Sequence, residues 1–177
     1  MMMTKQSTAR RREGSANDRA ARCTVPADAW HLVGPGVFDY VDAFAIGVPT
    51  SDRRPAEAWA RLMFTPSGPI MAAFAVGWGA VTGTRPPRTG RRLGFFKVVS
   101  PGRRSTILEG DGPRYRIRLV VIAGAGRITM VTFVKGHGIA WRQALTPIMA
   151  AHRRVAPLLV ERAAALGRGA PTRGIPA

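Results

Sequence analysis

Two ionisable residues, His152 and Asp42, lie on predicted apolar faces, where charged or titratable side chains are uncommon. His152 lies on the hydrophobic stripe of a predicted helix that contains "PIMAAHRRVAP". Asp42 lies in the alternating segment "DYVDAFAIGVP", on its more apolar face. An imidazole has an ordinary pKa of about 6.5, and a carboxylate within hydrogen-bonding reach would equip it for general acid–base catalysis. The two residues are therefore a candidate acid–base pair.

A structural role for His152 is the alternative interpretation. A neutral imidazole that bonds a strand carbonyl would anchor the helix to the sheet, whereas an unpaired charge there would be costly. The sequence leaves both interpretations open.

Other catalytic chemistries lack the residues they need. His31 and His137 fall in predicted loops and are expected at the surface, and Cys23 is the single cysteine, so no disulfide or metal-ligand spacing is present. The glycine-containing segments 34–38 and 100–104 do not have the spacing of a phosphate-binding loop, and no G-x-S-x-G element occurs. The sequence predicts no metal and no cofactor.

The chain is strongly basic, with 27 Lys and Arg against 10 Asp and Glu and a formal charge of +17. Such a charge would attract nucleic acid or an acidic lipid surface. The arginine-rich segments 85–92, 103–104 and 114–118 lack the interleaved exposed aromatic residues of a single-strand binding surface, and no recognition-helix signature accompanies them. A solvated basic face accounts for them, and binding to nucleic acid or an anionic membrane is kept as an alternative function.

The chain divides into a predicted disordered basic arm (1–23), a single domain (24–166) and a flexible tail (167–177). The arm has no apolar stretch of the kind found in signal peptides. The most apolar run, residues 69–83, is shorter than the roughly 20 residues of a membrane span. We expect a cytoplasmic protein.

The alternation in residues 39–49 predicts a strand, and two short helices are predicted after it, over 55–64 and 69–81. Residues 93–100 and 105–109 are predicted as further strands.

The segment 113–136 predicts a β-hairpin about the turn "AGAG". Centring the turn on 123–126 pairs Val121 with Ile128, Leu119 with Met130, Ile117 with Thr132 and Tyr115 with Val134. One face of the hairpin is then apolar on both strands. The other face pairs Arg118 with Val131, Arg116 with Phe133 and Arg114 with Lys135.

A long helix is predicted from Thr146 to Leu166, with Thr146 as its N-cap and Pro147 at its first position. Pro157 lies inside this helix and removes the hydrogen bond to the carbonyl of Arg153, so a bend is expected there.

The element order, together with "DYVDAFAIGVP", "AWARLMF" and "PIMAAHRRVAPLLVERA", resembles an uncharacterised bacterial domain-of-unknown-function family related to the START-like (SRPBCC, helix-grip) superfamily. The most specific part is the P-x4-H-R-R-V-x-P run, and the resemblance covers residues 36–166. It implies an α+β helix-grip fold, in which a curved antiparallel sheet wraps around a long C-terminal helix. It also implies a cavity for a hydrophobic or amphipathic small molecule, since some superfamily members are lipid carriers and others are cyclases or hydrolases. With only four clear strands after the two helices, a smaller cavity, or none, is an alternative.

A cavity between the sheet and the helix would be lined by Phe74, Trp78, Tyr115, Ile117, Leu119, Met130, Thr132, Met149 and His152. The same residues would equally serve as an ordinary core. Three functions follow: a non-catalytic small-molecule binding module, which is the leading hypothesis; a cyclase- or hydrolase-like enzyme that uses His152; and a basic surface that binds nucleic acid or acidic lipid.

Overall fold

An antiparallel sheet of seven strands runs through the computed structural model, which describes residues 19–65, 89–124 and 126–169. The elements in chain order are β1 (Ala21–Arg22), α1 (Ala27–Val33), β2 (Tyr40–Gly47), α2 (Ala56–Phe64), β3 (Arg92–Leu93), β4 (Phe96–Ser100), β5 (Ser105–Gly112), β6 (Tyr115–Gly124), β7 (Arg127–Gly136) and α3 (Ile139–Gly167). The predicted helix over 69–81 lies outside the described residues.

The strands are ordered β1-β2-β7-β6-β5-β4-β3, and every neighbouring pair is antiparallel. The strands from β3 to β7 follow one another as hairpins, and β7 then lies beside β2. Helices α2 and α3 pack on one face of the sheet. The predicted α+β class is confirmed, and this architecture is compatible with a helix grip.

Strand β2 is buried on both faces, and its alternation follows the predicted pattern. Phe44 and Ile46 belong to the core shared with α3, whereas Ala43 packs with α1 on the opposite face. Helix α1 was not predicted, because a helix of seven residues is too short to show a clear hydrophobic period. His31, expected in a loop, lies in α1, although it is exposed as predicted. His137 follows β7 and is exposed.

The predicted register of the β6–β7 hairpin was wrong by two residues. Gly124 pairs with Arg127, so the connection is two residues long, and Gly126 has a φ of 73°. Two-residue connections with positive φ match the twist of the paired strands, which explains the tighter turn. The observed pairs are Val121 with Met130, Leu119 with Thr132, Ile117 with Val134, Tyr115 with Gly136, Arg118 with Phe133 and Arg116 with Lys135. A shift of two residues keeps every side chain on its predicted face.

The strand predicted over 93–100 is in fact two strands. Gly94, with a φ of 58°, turns the chain between β3 and β4. Five strands therefore follow α2 among the described residues, one more than expected.

Helix α3 begins at Ile139, seven residues before the predicted start. Thr146 is consequently not its N-cap, and Pro147 lies inside the helix together with Pro157. Each proline lacks an N–H group, so the carbonyl four residues before it has no helical hydrogen bond. The added turns are stabilised by Trp141, which is 3% exposed and stacks on Tyr115 with ring centroids 4.8 Å apart. Tertiary packing here outweighs the local preference for starting a helix at proline.

At the ends of the described chain, Ala21 and Arg22 pair with Ala45 and Phe44 to form an edge strand. These two residues belong to the predicted arm, whereas residues 1–18 and 170–177 lie outside the described parts. Within residues 19–65, 89–124 and 126–169, no helix is both long enough and apolar enough to cross a membrane.

Candidate functional site

Asp42 and Thr132 lie directly opposite each other on β2 and β7. Both side chains point towards α3, because they share a strand face with the core residues Phe44 and Met130. Asp42 is 2% exposed and Thr132 is 1% exposed. A carboxylate removed from water in this way requires hydrogen-bond donors around it.

His152 supplies one of those donors from α3. Its Nε2 lies 3.2 Å from Asp42 Oδ1 and 3.2 Å from Thr132 Oγ1. The expected approach of His152 to Asp42 is thus present, and the imidazole is anchored by side chains instead of the strand carbonyl considered above. Because a carboxylate only accepts, Nε2 carries the hydrogen and Nδ1 is left for another partner. Nδ1 makes no hydrogen bond to any residue in the described ranges.

Tyr40 and Arg153 extend the network to the surface. The Tyr40 hydroxyl donates to Asp42 Oδ2. Arg153 Nε donates to Tyr40 Oη over 3.2 Å, and the guanidinium carbon lies 5.4 Å from the centre of the tyrosine ring. The same ring meets the imidazole of His152 edge-on, with centroids 6.0 Å apart. We call Tyr40, Asp42, Thr132, His152 and Arg153 the polar cluster.

The electrostatics of the polar cluster favour an ionised Asp42 and a neutral Tyr40. Burial acts to raise the pKa of Asp42, but it is outweighed by the hydrogen bonds from His152, Tyr40 and Thr132 and by the charge that His152 carries when it is protonated, so that this pKa lies below its ordinary value. Burial, followed by the hydrogen bond to Asp42, raises the pKa of Tyr40 to about 12. The cluster therefore holds an inner anion bonded to a protonated phenol.

The structure describes seven of the nine residues predicted to line a cavity. Thr132 and His152 belong to the polar cluster. The other five are buried in the core shared with α3, none more than 5% exposed: Tyr115, Ile117, Leu119, Met130 and Met149. Phe74 and Trp78 lie outside the described residues. The described part of the sheet–helix interface is consequently packed by its own side chains.

Tyr40 and Arg153 were not among the predicted site residues. Tyr40 carries a usable signal, because it lies two residues before Asp42 on the same face of a strand. Arg153 has no such signal in the sequence, because the neighbouring Arg154 is an exposed arginine too and nothing local distinguishes the two. Only the position of α3 over β2 distinguishes the two arginines.

The polar cluster offers two outward-facing groups to a ligand. One is Nδ1 of His152, whose side chain is 13% exposed. The other is the Arg153 guanidinium, whose terminal nitrogens make no hydrogen bond within the described chain. No group of three or more His, Cys, Asp or Glu residues that could hold a metal ion occurs in residues 19–65, 89–124 and 126–169.

Comparisons with protein-family models, with curated proteins and with solved structures found no match to this chain.

Proposed function

We propose that this domain binds a small amphipathic molecule, with the polar cluster receiving an anionic headgroup at the margin of the sheet–helix interface. The observation that carries the proposal is the buried Asp42–His152 pair, which lies against an otherwise apolar core and is linked to the surface by Tyr40 and Arg153. A few convergent polar groups beside apolar walls are typical of small-molecule sites.

The charge arrangement favours an anion over a cation. Both Asp42 oxygens already accept hydrogen bonds and are enclosed, so they are not open to a cation, whereas the Arg153 guanidinium has donors to spare. An anion that bonds both Arg153 and His152 Nδ1 requires a proton on Nδ1, because Nε2 already carries one towards Asp42. At a pH at which Nδ1 carries no proton in the free protein, binding should therefore be accompanied by proton uptake.

The apolar part of the ligand would lie along α3. Met149 and Leu145 occur one and two turns before His152 on the core-facing side of the helix. Leu145 is only partly buried, and Met149 has an unbranched side chain that adapts its shape readily. Movement of these two side chains would admit a short acyl chain into the packed interface. The resemblance to START-like domains supports the same class of ligand and remains part of the proposal.

Calorimetric titration with decanoate and with decanol tests the proposal, because the two probes share a chain length and differ in charge. We expect decanoate to bind more tightly, and Arg153→Gln to weaken decanoate binding about two- to fivefold, as for an exposed charge contact. Arg154→Gln is the matched control, since this neighbouring arginine is exposed on the same helix but has no contact with Tyr40. Equal affinity for the two probes, or equal losses in both variants, would contradict the proposal.

A second candidate function, acid–base catalysis, is favoured by the orientation of His152. A carboxylate on one ring nitrogen fixes the tautomer and stabilises the imidazolium that forms when the other nitrogen accepts a proton. In ester hydrolysis, Nδ1 would take a proton from the water as its oxygen bonds the ester carbonyl carbon, and would then return that proton to the alkoxy oxygen as the carbon–oxygen bond breaks, which yields the carboxylic acid and the alcohol. Turnover of p-nitrophenyl decanoate measures this: His152→Ala and Asp42→Asn should both abolish it, and turnover that survives His152→Ala would exclude this function.

A further inference from the structure

A second surface lies on the face of the sheet opposite the polar cluster. Three large apolar residues are exposed there, in α1 or shortly after it: Trp30 (43% exposed), Leu32 (36%) and Val37 (81%). We call them the apolar patch. Trp30 packs edge-on against Phe133 of β7, with centroids 5.0 Å apart, and this contact holds the short helix on the sheet.

Basic side chains lie beside the apolar patch on the same face. Arg118 lies opposite Phe133, and two residues further along the strands Arg116 lies opposite Lys135. Arg118 Nη1 also donates to the carbonyl of Val33 at the end of α1, over 2.7 Å. We call Arg116, Arg118 and Lys135 the basic row.

The basic row alone does not outnumber the carboxylates around it. The positive balance includes Arg92 and Lys97, which lie on the same sheet face through the pairs Arg92–Lys97 and Lys97–Glu109, so that five basic residues stand against Glu109, Asp111, Asp28 and Asp39. Arg118 pairs with Glu109 at 2.9 Å, and Arg116 pairs with Asp111 at 2.9 Å. Lys135 is exposed and makes no ion pair with a residue in the described ranges. Asp28 and Asp39 are the acidic residues of the α1 region, and the Asp39 carboxylate accepts a hydrogen bond from the Gly136 amide.

We infer that the apolar patch and the basic row together form a docking surface for an acidic lipid bilayer. Exposed Trp and Leu beside cations are the composition with which peripheral proteins bind anionic membranes: the apolar groups enter the headgroup–acyl boundary and the cations meet the phosphates. Leu32 and Val37 disfavour a single-stranded nucleic acid, because bases stack on aromatic rings and not on aliphatic side chains.

Electrostatic repulsion disfavours binding of another segment of this chain, or of a second copy of it, to the docking surface. Residues 1–18 carry four basic and two acidic residues. A second copy would bring the same basic row and a formal charge of +17. An acidic bilayer offers the opposite charge together with an apolar interior.

Vesicle co-sedimentation of the full chain tests this inference, using phosphatidylcholine vesicles with and without phosphatidylglycerol. We expect binding to the acidic vesicles only. Leu32→Ser should lower the partition coefficient about three- to tenfold, because part of one leucine side chain no longer enters the apolar interior of the bilayer. Leu158→Ser is the matched control, because Leu158 is 37% exposed but lies on α3, and it should bind like the unmodified chain. Lys135→Gln should weaken binding at low salt and leave the circular dichroism spectrum unchanged.

The matched control separates specific docking from attraction to the overall positive charge. Equal binding by Leu32→Ser and Leu158→Ser would overturn the inference, as would the absence of binding to acidic vesicles. Binding to polyuridylate that Leu32→Ser weakens, without binding to vesicles, would overturn it in favour of a nucleic-acid surface. None of these outcomes affects the proposal for the polar cluster, which lies on the other face of the sheet.

Discussion

At the scale of single residues, the central feature is a carboxylate buried within an apolar strand face. Asp42 could be selected from the sequence because it interrupts an alternating apolar pattern, and His152 because it interrupts a helical stripe. Their mutual contact, by contrast, depends on how α3 crosses β2, which residue spacing does not specify. The donor from Thr132 was beyond prediction for the same reason, since the β2–β7 register that brings Thr132 beside Asp42 is not local. Tyr40 could have been predicted, because it lies two residues before Asp42 on the same face of one strand.

Asp42→Asn should destabilise the protein at about pH 7 by about 2 kcal/mol, as expected for loss of charge-assisted hydrogen bonds. The pKa of Asp42 is lowered on folding, so its contribution is fully present above the unfolded-state pKa of about 3.9 and disappears as the pH falls through the folded-state value. Urea unfolding of both proteins across this range measures the difference. Asp28→Asn, at an exposed position in α1, serves as the control and should have little effect. A difference that persists unchanged into strong acid would contradict the account.

Tyr40 should ionise at higher pH than an ordinary tyrosine, with a pKa of about 12. Because the folded-state pKa is raised, the stability that the phenol contributes is complete below the unfolded-state pKa of about 10 and is lost as the pH rises through the folded value. Tyrosinate absorbance can be assigned by subtraction, since the chain has two tyrosines and Tyr40→Phe removes one titration. Ionisation of Tyr40 at about pH 10 would show that its hydroxyl is neither buried nor bonded to Asp42 in solution.

At the scale of elements, the sheet face to which each side chain points could be predicted, but the residue paired with it on the neighbouring strand could not. The apolar alternation of β6 and β7 determines which side chains point inwards, and a shift of two residues leaves that unchanged. The start of α3 was missed because its first turns are stabilised by Trp141 packing on Tyr115, a contact between distant segments. The helix continues through Pro157, and the bend expected there stays a prediction.

Gly136 makes the close approach of α3 to β7 feasible, and Gly136→Ala tests this. A Cβ at this position would lie 1.4 Å from Trp141 Cδ1, so the indole would have to move. We expect a loss of about 3 kcal/mol in the free energy of unfolding, at the upper end for overpacked cores. Gly124→Ala is the control, because its Cβ would meet only the Arg127 carbonyl at 3.8 Å. Equal stability of the two variants would show that Trp141 does not pack against this strand.

At the scale of the whole molecule, the sheet separates two surfaces of different character. The face towards α3 carries the packed core and the polar cluster, and the face towards α1 carries the apolar patch and the basic row. The sequence predicted the α+β class and an apolar sheet–helix interface. It did not locate the exposed apolar residues, because exposure of Trp30 and Leu32 depends on how α1 lies on the sheet. Formal charge alone likewise could not indicate which surface would meet an anionic partner.

Side-chain nitrogen NMR of the three histidines, recorded during titration with decanoate, tests the proposed ligand site most directly. At a pH at which Nδ1 carries no proton in the free protein, His152 should be protonated at Nε2 alone, and addition of decanoate should shift its Nδ1 resonance towards that of a protonated nitrogen. His31 and His137 are internal controls, since both are exposed and lie outside the polar cluster. A shift confined to His152 is the predicted result. An unchanged His152, or equal shifts at all three histidines, would contradict the central claim.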